Sequence, residues 1–131
     1  MTTTLSRELE RLTHSGVRMA DPAMDVRDRE VFDRDGQSVG TVSDVLIEPE
    51  SGEVRLVEVT SGGGVFGLGR KSRLVPTEVV TSGDPRTVYV ERTREEILAA
   101  DEYRPAEGDE EEAQYAAAYA AYDVTPYWNR S

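Results

Sequence analysis

Between Asp25 and Thr93 the chain consists of short β-branched and apolar runs, broken by turn residues roughly every 8 to 15 positions. This texture restricts the segment to a small all-β architecture, a barrel or a sandwich. Val26 to Phe32 reads as a first strand, and Arg34-Asp35-Gly36 is a hairpin turn signal. Ser38 to Ile47 reads as the next strand, with Gly40 marking a bulge or a close backbone approach. After the turn Pro49-Glu50-Ser51-Gly52 comes a strand from Val54 to Thr60. There the two-residue period puts Val54 and Leu56 on one face and Val57 and Val59 on the other. A strand apolar on both faces is covered on both, by the barrel interior and by a terminal helix or a second subunit. A glycine-rich stretch from Gly62 to Gly69 leads into Arg70 to Pro76. Thr87 to Arg92 reads as the last strand, with Val88 and Val90 inward and Tyr89 and Glu91 outward.

The flanks read differently. Leu5, Leu9 and Leu12 fall at i, i+4, i+7, which predicts a short helix over Thr2 to Thr13. His14 then reads as an exposed residue at its end. Thr93 and Glu96 have capping-box spacing, which predicts a helix from Arg94 to Asp101. Arg104 to Glu112 has the composition of a linker. Beyond it Gln114 to Tyr122 is nearly all alanine and tyrosine, with Tyr115, Tyr119 and Tyr122 on one helical face, and Pro126-Tyr127-Trp128 follows. Five of the nine aromatic residues lie in the last 17, so this end either covers an apolar strip of its own body or docks on another protein. The organisation is residues 1–23 as helix and linker, 24–103 as barrel with closing helix, and 104–131 as acidic linker with an aromatic helical end.

Composition narrows the function. At 131 residues the chain suits one domain with extensions, and with no cysteine it has neither disulfides nor a thiolate nucleophile or ligand. No apolar run is long enough to span a bilayer, and the first residues lack the apolar core of a signal peptide; a cytoplasmic protein is expected. The net charge of −11 is uneven: residues 1–94 hold 16 acids and 13 bases, residues 95–131 hold 10 and 2. Such an acidic third repels phosphate backbones, which disfavours nucleic acid as a ligand.

Several motifs resolve into turns. Gly62-x-Gly64-x-x-Gly67 matches the dinucleotide fingerprint only formally, because a β-like segment follows where that site needs a helix N-terminus. Gly69-Arg70-Lys71-Ser72 departs from the phosphate-loop pattern by the arginine before its lysine. Asp33-x-Asp35-Gly36 cannot be a calcium loop, since Val31 and Val42 would occupy ligand positions. With one histidine and no cysteine, no nucleophile–base set can be assembled, and the pairs Asp33/Asp35 and Glu48/Glu50 are placed in polar turns. The chain is expected to be no enzyme. Arg70, Lys71 and Arg73 form a basic cluster that could hold an anion or an acidic segment.

Taken as one string, these pieces resemble a known family. They are Val26-x-x-x-x-Val31, Asp35-Gly36-x-x-Val39-Gly40-x-Val42-x-Asp44-Val45, Gly52-x-Val54, Gly63-Gly64-Val65-Phe66-Gly67-x-Gly69, Leu74-Val75-Pro76, Val88-x-Val90 and Glu95-Glu96-Ile97-Leu98. Over residues 24–103 they resemble the PRC-barrel family, named from the cytoplasmic domain of the photosynthetic reaction-centre H subunit and shared with the ribosome-maturation factor RimM. The resemblance implies a small β-barrel that serves as an interaction module, with no catalytic residue to carry over. Residues 1–23 match neither the transmembrane helix of an H subunit nor the second β-barrel domain of RimM, so a stand-alone form is expected.

The combined expectation is a mainly β protein, a small PRC-type barrel with short helices at both ends, acting as a non-catalytic adaptor without cofactor or metal. Self-association, as a homodimer, is expected through Leu5, Leu9, Leu12, Val57, Val59, Tyr115, Tyr119, Tyr122, Tyr127 and Trp128. One alternative is anion or small-ligand binding at Arg70, Lys71 and Arg73 beside the glycine-rich turn. A second is an RNA-processing role by analogy with RimM. The partner protein is not identified by the sequence.

Overall fold

The computed structural model describes residues 7–62 and 69–130. Its strands are β1 (Glu10–Arg11), β2 (Glu30–Phe32), β3 (Ser38–Ile47), β4 (Val54–Ser61), β5 (Lys71–Pro76), β6 (Val80–Ser82) and β7 (Thr87–Val90). Helix α1 (Arg94–Ala99) and helix α2 (Gly108–Ala121) follow, and a single 3₁₀ turn at Tyr127–Asn129 comes after them. The sheet order is β5-β4-β3-β2-β7-β6, with β1 added beside β3; β2 and β7 run parallel and every other pair antiparallel. Among the described residues β5 and β6 do not pair with each other. The expected barrel is therefore a curled half-barrel. Ile97 of α1 and Tyr122 are buried in the valine cluster, alongside the strands.

Local chemistry accounts for the central strands. Asp33 N–H to Gln37 O and Gly36 N–H to Asp33 O close the first hairpin, with Gly36 at φ 81° supplying the left-handed residue the turn needs. Gly40 serves both readings made of it. It faces a register shift between Val31 and Phe32, and a Cβ there would stand 2.2 Å from Thr60 O. The capping box is made: the Thr93 hydroxyl accepts from Glu96 N–H, and the Glu96 carboxylate accepts from Thr93 N–H.

Two apolar layers result. Val31, Val42, Val45, Val57, Val59, Val75, Val88 and Val90 fill the inside of the curl. Leu9, Leu46, Leu56 and Leu74 form the outer layer with Tyr103, Tyr115, Tyr119 and Tyr127. The outer cover of the doubly apolar strand is thus the chain's own α2 and the turn after it. Val54 departs from the expected face. Leu46 pairs Leu56 and Ile47 pairs Val54, so Arg55 is an extra residue, and this bulge turns Val54 into the inner layer with Val57 and Val59.

The N-terminal helix over Thr2 to Thr13 is corrected. Leu5 lies outside the described residues, as do Gly63 to Leu68 of the glycine-rich stretch. Between Arg7 and Thr13 no helix forms, and Glu10 and Arg11 pair with Ile47 and Leu46. In an extended arm, residues three apart point to opposite sides. Leu9 accordingly joins the outer layer while Leu12 packs on the inner one. The first strand is also shorter than Val26 to Phe32, because a left-handed residue at Asp28 (φ 69°) breaks it. The acidic stretch is not linker throughout: Asp109, Glu110 and Glu111 form the first turn of α2, where carboxylates offset the partial positive charge of a helix start. Among the described residues no helix is long and apolar enough to cross a membrane.

Candidate protein-interaction site

Helix α2 presents tyrosines at 3.6-residue spacing to the outer sheet face. Tyr115 and Tyr119 reach it from the helix; Tyr127 and Trp128 reach it from the 3₁₀ turn. Tyr119 lies edge-on to Trp128 at 5.6 Å between centroids, and Tyr127 to Trp128 at 5.2 Å. Guanidinium groups close the rim, that of Arg55 4.9 Å over Tyr127 and that of Arg7 5.1 Å over Trp128. Tyr122 separates from its helical partners. It sits just past the helix end and turns into the inner layer, where its ring lies under Arg92 and its backbone O accepts from Arg92 Nη2. Its buried Oη has no hydrogen-bond partner. Leu9, Val57, Val59, Tyr115, Tyr119, Tyr122 and Tyr127 are all buried within the single chain, Leu12 and Trp128 half-buried.

The arm before the barrel is fastened by charge. Arg11 Nη2 meets Glu58 at 2.8 Å and its Nε meets Asp44 at 3.3 Å; both carboxylates are buried, and Thr13 N–H donates to Asp44 Oδ1. Burial works against the Arg11 charge, and Glu58 and Asp44 more than offset it, so its pKa lies above the ordinary value. Ser43 Oγ donates to Glu58, and Thr60 and Ser72 continue a hydroxyl ladder across β3, β4 and β5. Tyr103 Oη donates to Glu111 at 2.6 Å, tying α2 to the segment before it. These polar groups are engaged with one another, and among the described residues no cluster could hold a metal ion.

Asp33 shows how the turn carboxylates are used. The sequence places it in a polar turn; the structure buries it and aims the N–H groups of Asp35, Gln37 and Arg94 at its carboxylate. Burial pushes its pKa up, but those three bonds prevail and hold it below the usual carboxylate range. A carboxyl held ionised in this way joins the first hairpin to the start of α1.

The basic cluster does not assemble. Arg70 and Lys71 are exposed at the start of β5, whereas Arg73, one period further along the strand, is buried, where Nε donates to Ala100 O and Nη1 to Ser61 Oγ. Its charge lies at the C-terminal end of α1, a favourable place for a cation. The three side chains therefore do not converge on one ligand.

The surface that remains open is one that sequence reasoning noticed only in part. Tyr89, expected outward, is 41% exposed and is the one large apolar side chain standing exposed among the described residues. It forms a tilted pair with Phe32 at 5.9 Å, because β2 and β7 run parallel with these two residues in register. Thr81 of β6 is the register partner on its other side, and Gly83 leaves room for the ring. A shallow groove beside it is lined by Arg34, Thr81, Tyr89, Val90, Glu91 and Arg92. Neither Arg34 nor Arg92 has a carboxylate within ion-pair distance among the described residues; both donate instead to Glu91 O. The outward position of Tyr89 was visible in the alternation Val88-Tyr89-Val90. Its pairing with Phe32, and its place in one groove with Arg34, some fifty-five residues away in sequence, required the parallel contact of β2 with β7.

Comparison with curated proteins finds no match. The family model described as the PRC-barrel domain matches residues 21–97, from the turn that ends the N-terminal arm through β7 into α1. That match covers more than half of the sequence, and it spans the half-barrel strands β2 to β7: this chain belongs to the PRC-barrel family.

Proposed function

We propose that this protein is a non-catalytic interaction module that associates with itself through the open face of β2, β7 and β6. At the coarse level, membership of the PRC-barrel family points to a protein-interaction or adaptor role. The observation that carries the finer reading is the exposed Tyr89, paired with the half-buried Phe32 and lining one groove with Arg34 and Arg92. Tyrosine and arginine dominate the energetics of protein interfaces, since they bury large area at low entropic cost and keep polar contacts. Every other tyrosine is already buried in its own chain. The anion-binding alternative is the less favoured, because Arg73 is buried and its guanidinium donates to Ala100 O and Ser61 Oγ.

Light scattering on a sizing column over a hundredfold range of protein concentration tests the reading. A mass of twice 14.5 kDa is expected at the upper concentrations. A mass that stays monomeric throughout, with no association by sedimentation velocity, would dismiss self-association. Replacing Tyr89 by serine is expected to move the dimer back toward monomer, with circular dichroism checking that the chain stays folded once the ring leaves Phe32.

A further inference from the structure

The self-association reading leaves open what part of a second copy meets the Tyr89 face, and the charge distribution answers it. The exposed residues Asp109 and Glu110 of the first turn of α2 have no cation within ion-pair distance among the described residues. On the other side Arg34 is exposed and bonded only to a backbone oxygen, Glu91 O, and neither it nor the exposed Arg94 has a carboxylate within ion-pair distance among the described residues. The nearby Glu96 is committed to the capping box of α1. These opposite charges cannot meet within one chain. Arg92 holds the far end of α2 by the bond to Tyr122 O, so the acidic turn stands a helix length away, about 20 Å for fourteen residues.

Resting on the proposed self-association, we infer that the acidic first turn of α2 in a second copy docks on the Tyr89 face of the first. Asp109 and Glu110 of one copy meet Arg34 of the other, with Tyr89 supplying apolar contact. About a two-fold axis the contact forms twice, which closes the dimer and prevents open-ended chains. It also neutralises part of the charge of residues 95–131, where acids outnumber bases by 10 to 2.

The test is a charge swap on the full chain, read by sedimentation velocity in 0.1 M and 1 M salt on the order of the ranges where screening changes most. Arg34→Glu is expected to weaken the dimer about tenfold, because the reversal acts at both of the reciprocal contacts. The pair Asp109→Lys, Glu110→Lys is expected to do the same. All three changes in one chain restore most of the wild-type affinity. Since lysine at a helix start costs some helix stability, circular dichroism of each variant accompanies the measurement, and Glu110→Gln serves as the milder form with a loss of about twofold. If the wild type dimerises and neither reversal changes its affinity, or the triple variant fails to recover, the docking is wrong while self-association stands. A wild type that never dimerises removes both.

Discussion

Single residues in this fold are held by contacts whose sign can be worked out. The Asp33 pKa is lowered on folding, so its contribution is present above the ordinary carboxylate range and is lost as the pH falls through the folded value. Asp33→Asn is therefore expected to lower the urea midpoint at pH 7, and the gap from wild type should shrink as the pH approaches 2. Tyr122 works in the other direction. Its Oη is buried without a partner, so Tyr122→Phe removes a desolvated hydroxyl and keeps the ring. A gain of about 1 kcal/mol is expected in the same urea measurement, and a loss would mean that the hydroxyl has a partner in solution. Gly40 is the steric case: a Cβ at 2.2 Å from Thr60 O forces β3 and β4 apart, and Gly40→Ala should cost about 1–3 kcal/mol. At this scale the sequence was informative where geometry is local. Gly40 and the Thr93–Glu96 box were legible because a missing side chain and a three-residue spacing each carry their own meaning. Asp33 was not, since two of its donors lie in its own turn but the third, Arg94 N–H, comes from sixty-one residues away.

Among the elements, α2 owes its place to the outer layer more than to its own propensity. Its alanines favour the helix, but tyrosines on one side must find an apolar surface, and Leu46, Leu56 and Leu74 supply it. Tyr119→Ala is expected to cost about 3–5 kcal/mol by thermal unfolding, the range for removing a large buried aromatic, and to loosen the Tyr127–Trp128 turn packed against it. The N-terminal arm shows the opposite balance. Leucines at i, i+4, i+7 favour a helix, yet a two-residue ladder on β3, two buried carboxylates waiting for Arg11, and separate pockets for Leu9 and Leu12 outweigh that preference. The strand boundaries of β3, β4 and β7 were legible from alternation and turn residues. The bulge that turns Val54 inward was not, because it depends on the partner strand.

For the whole molecule, burial of five tyrosines makes high pH the telling condition. Burial raises the hydroxyls of Tyr103, Tyr115, Tyr119, Tyr122 and Tyr127 above their usual value, that of Tyr122 to about 12. Groups raised on folding contribute stability that is fully present below the unfolded value near 10 and is lost as the pH climbs through the folded values. The tyrosinate absorbance of these five is expected to appear late and together, coinciding with loss of the circular dichroism signal above about pH 11. Gradual ionisation near pH 10 without unfolding would show that the outer layer is open to solvent. What the sequence determined by itself was the β texture of residues 25–93, the turns, the closing helix cap and the family resemblance, all properties of neighbours along the chain. What the tertiary structure decided was which faces meet: the half-barrel rather than closed sheet, α2 laid over its own strands, Arg73 turned under α1, and the arm paired in place of a helix. The physical reason is that period and propensity act over a few residues, whereas burial and pairing compare surfaces brought together only when the whole chain has collapsed.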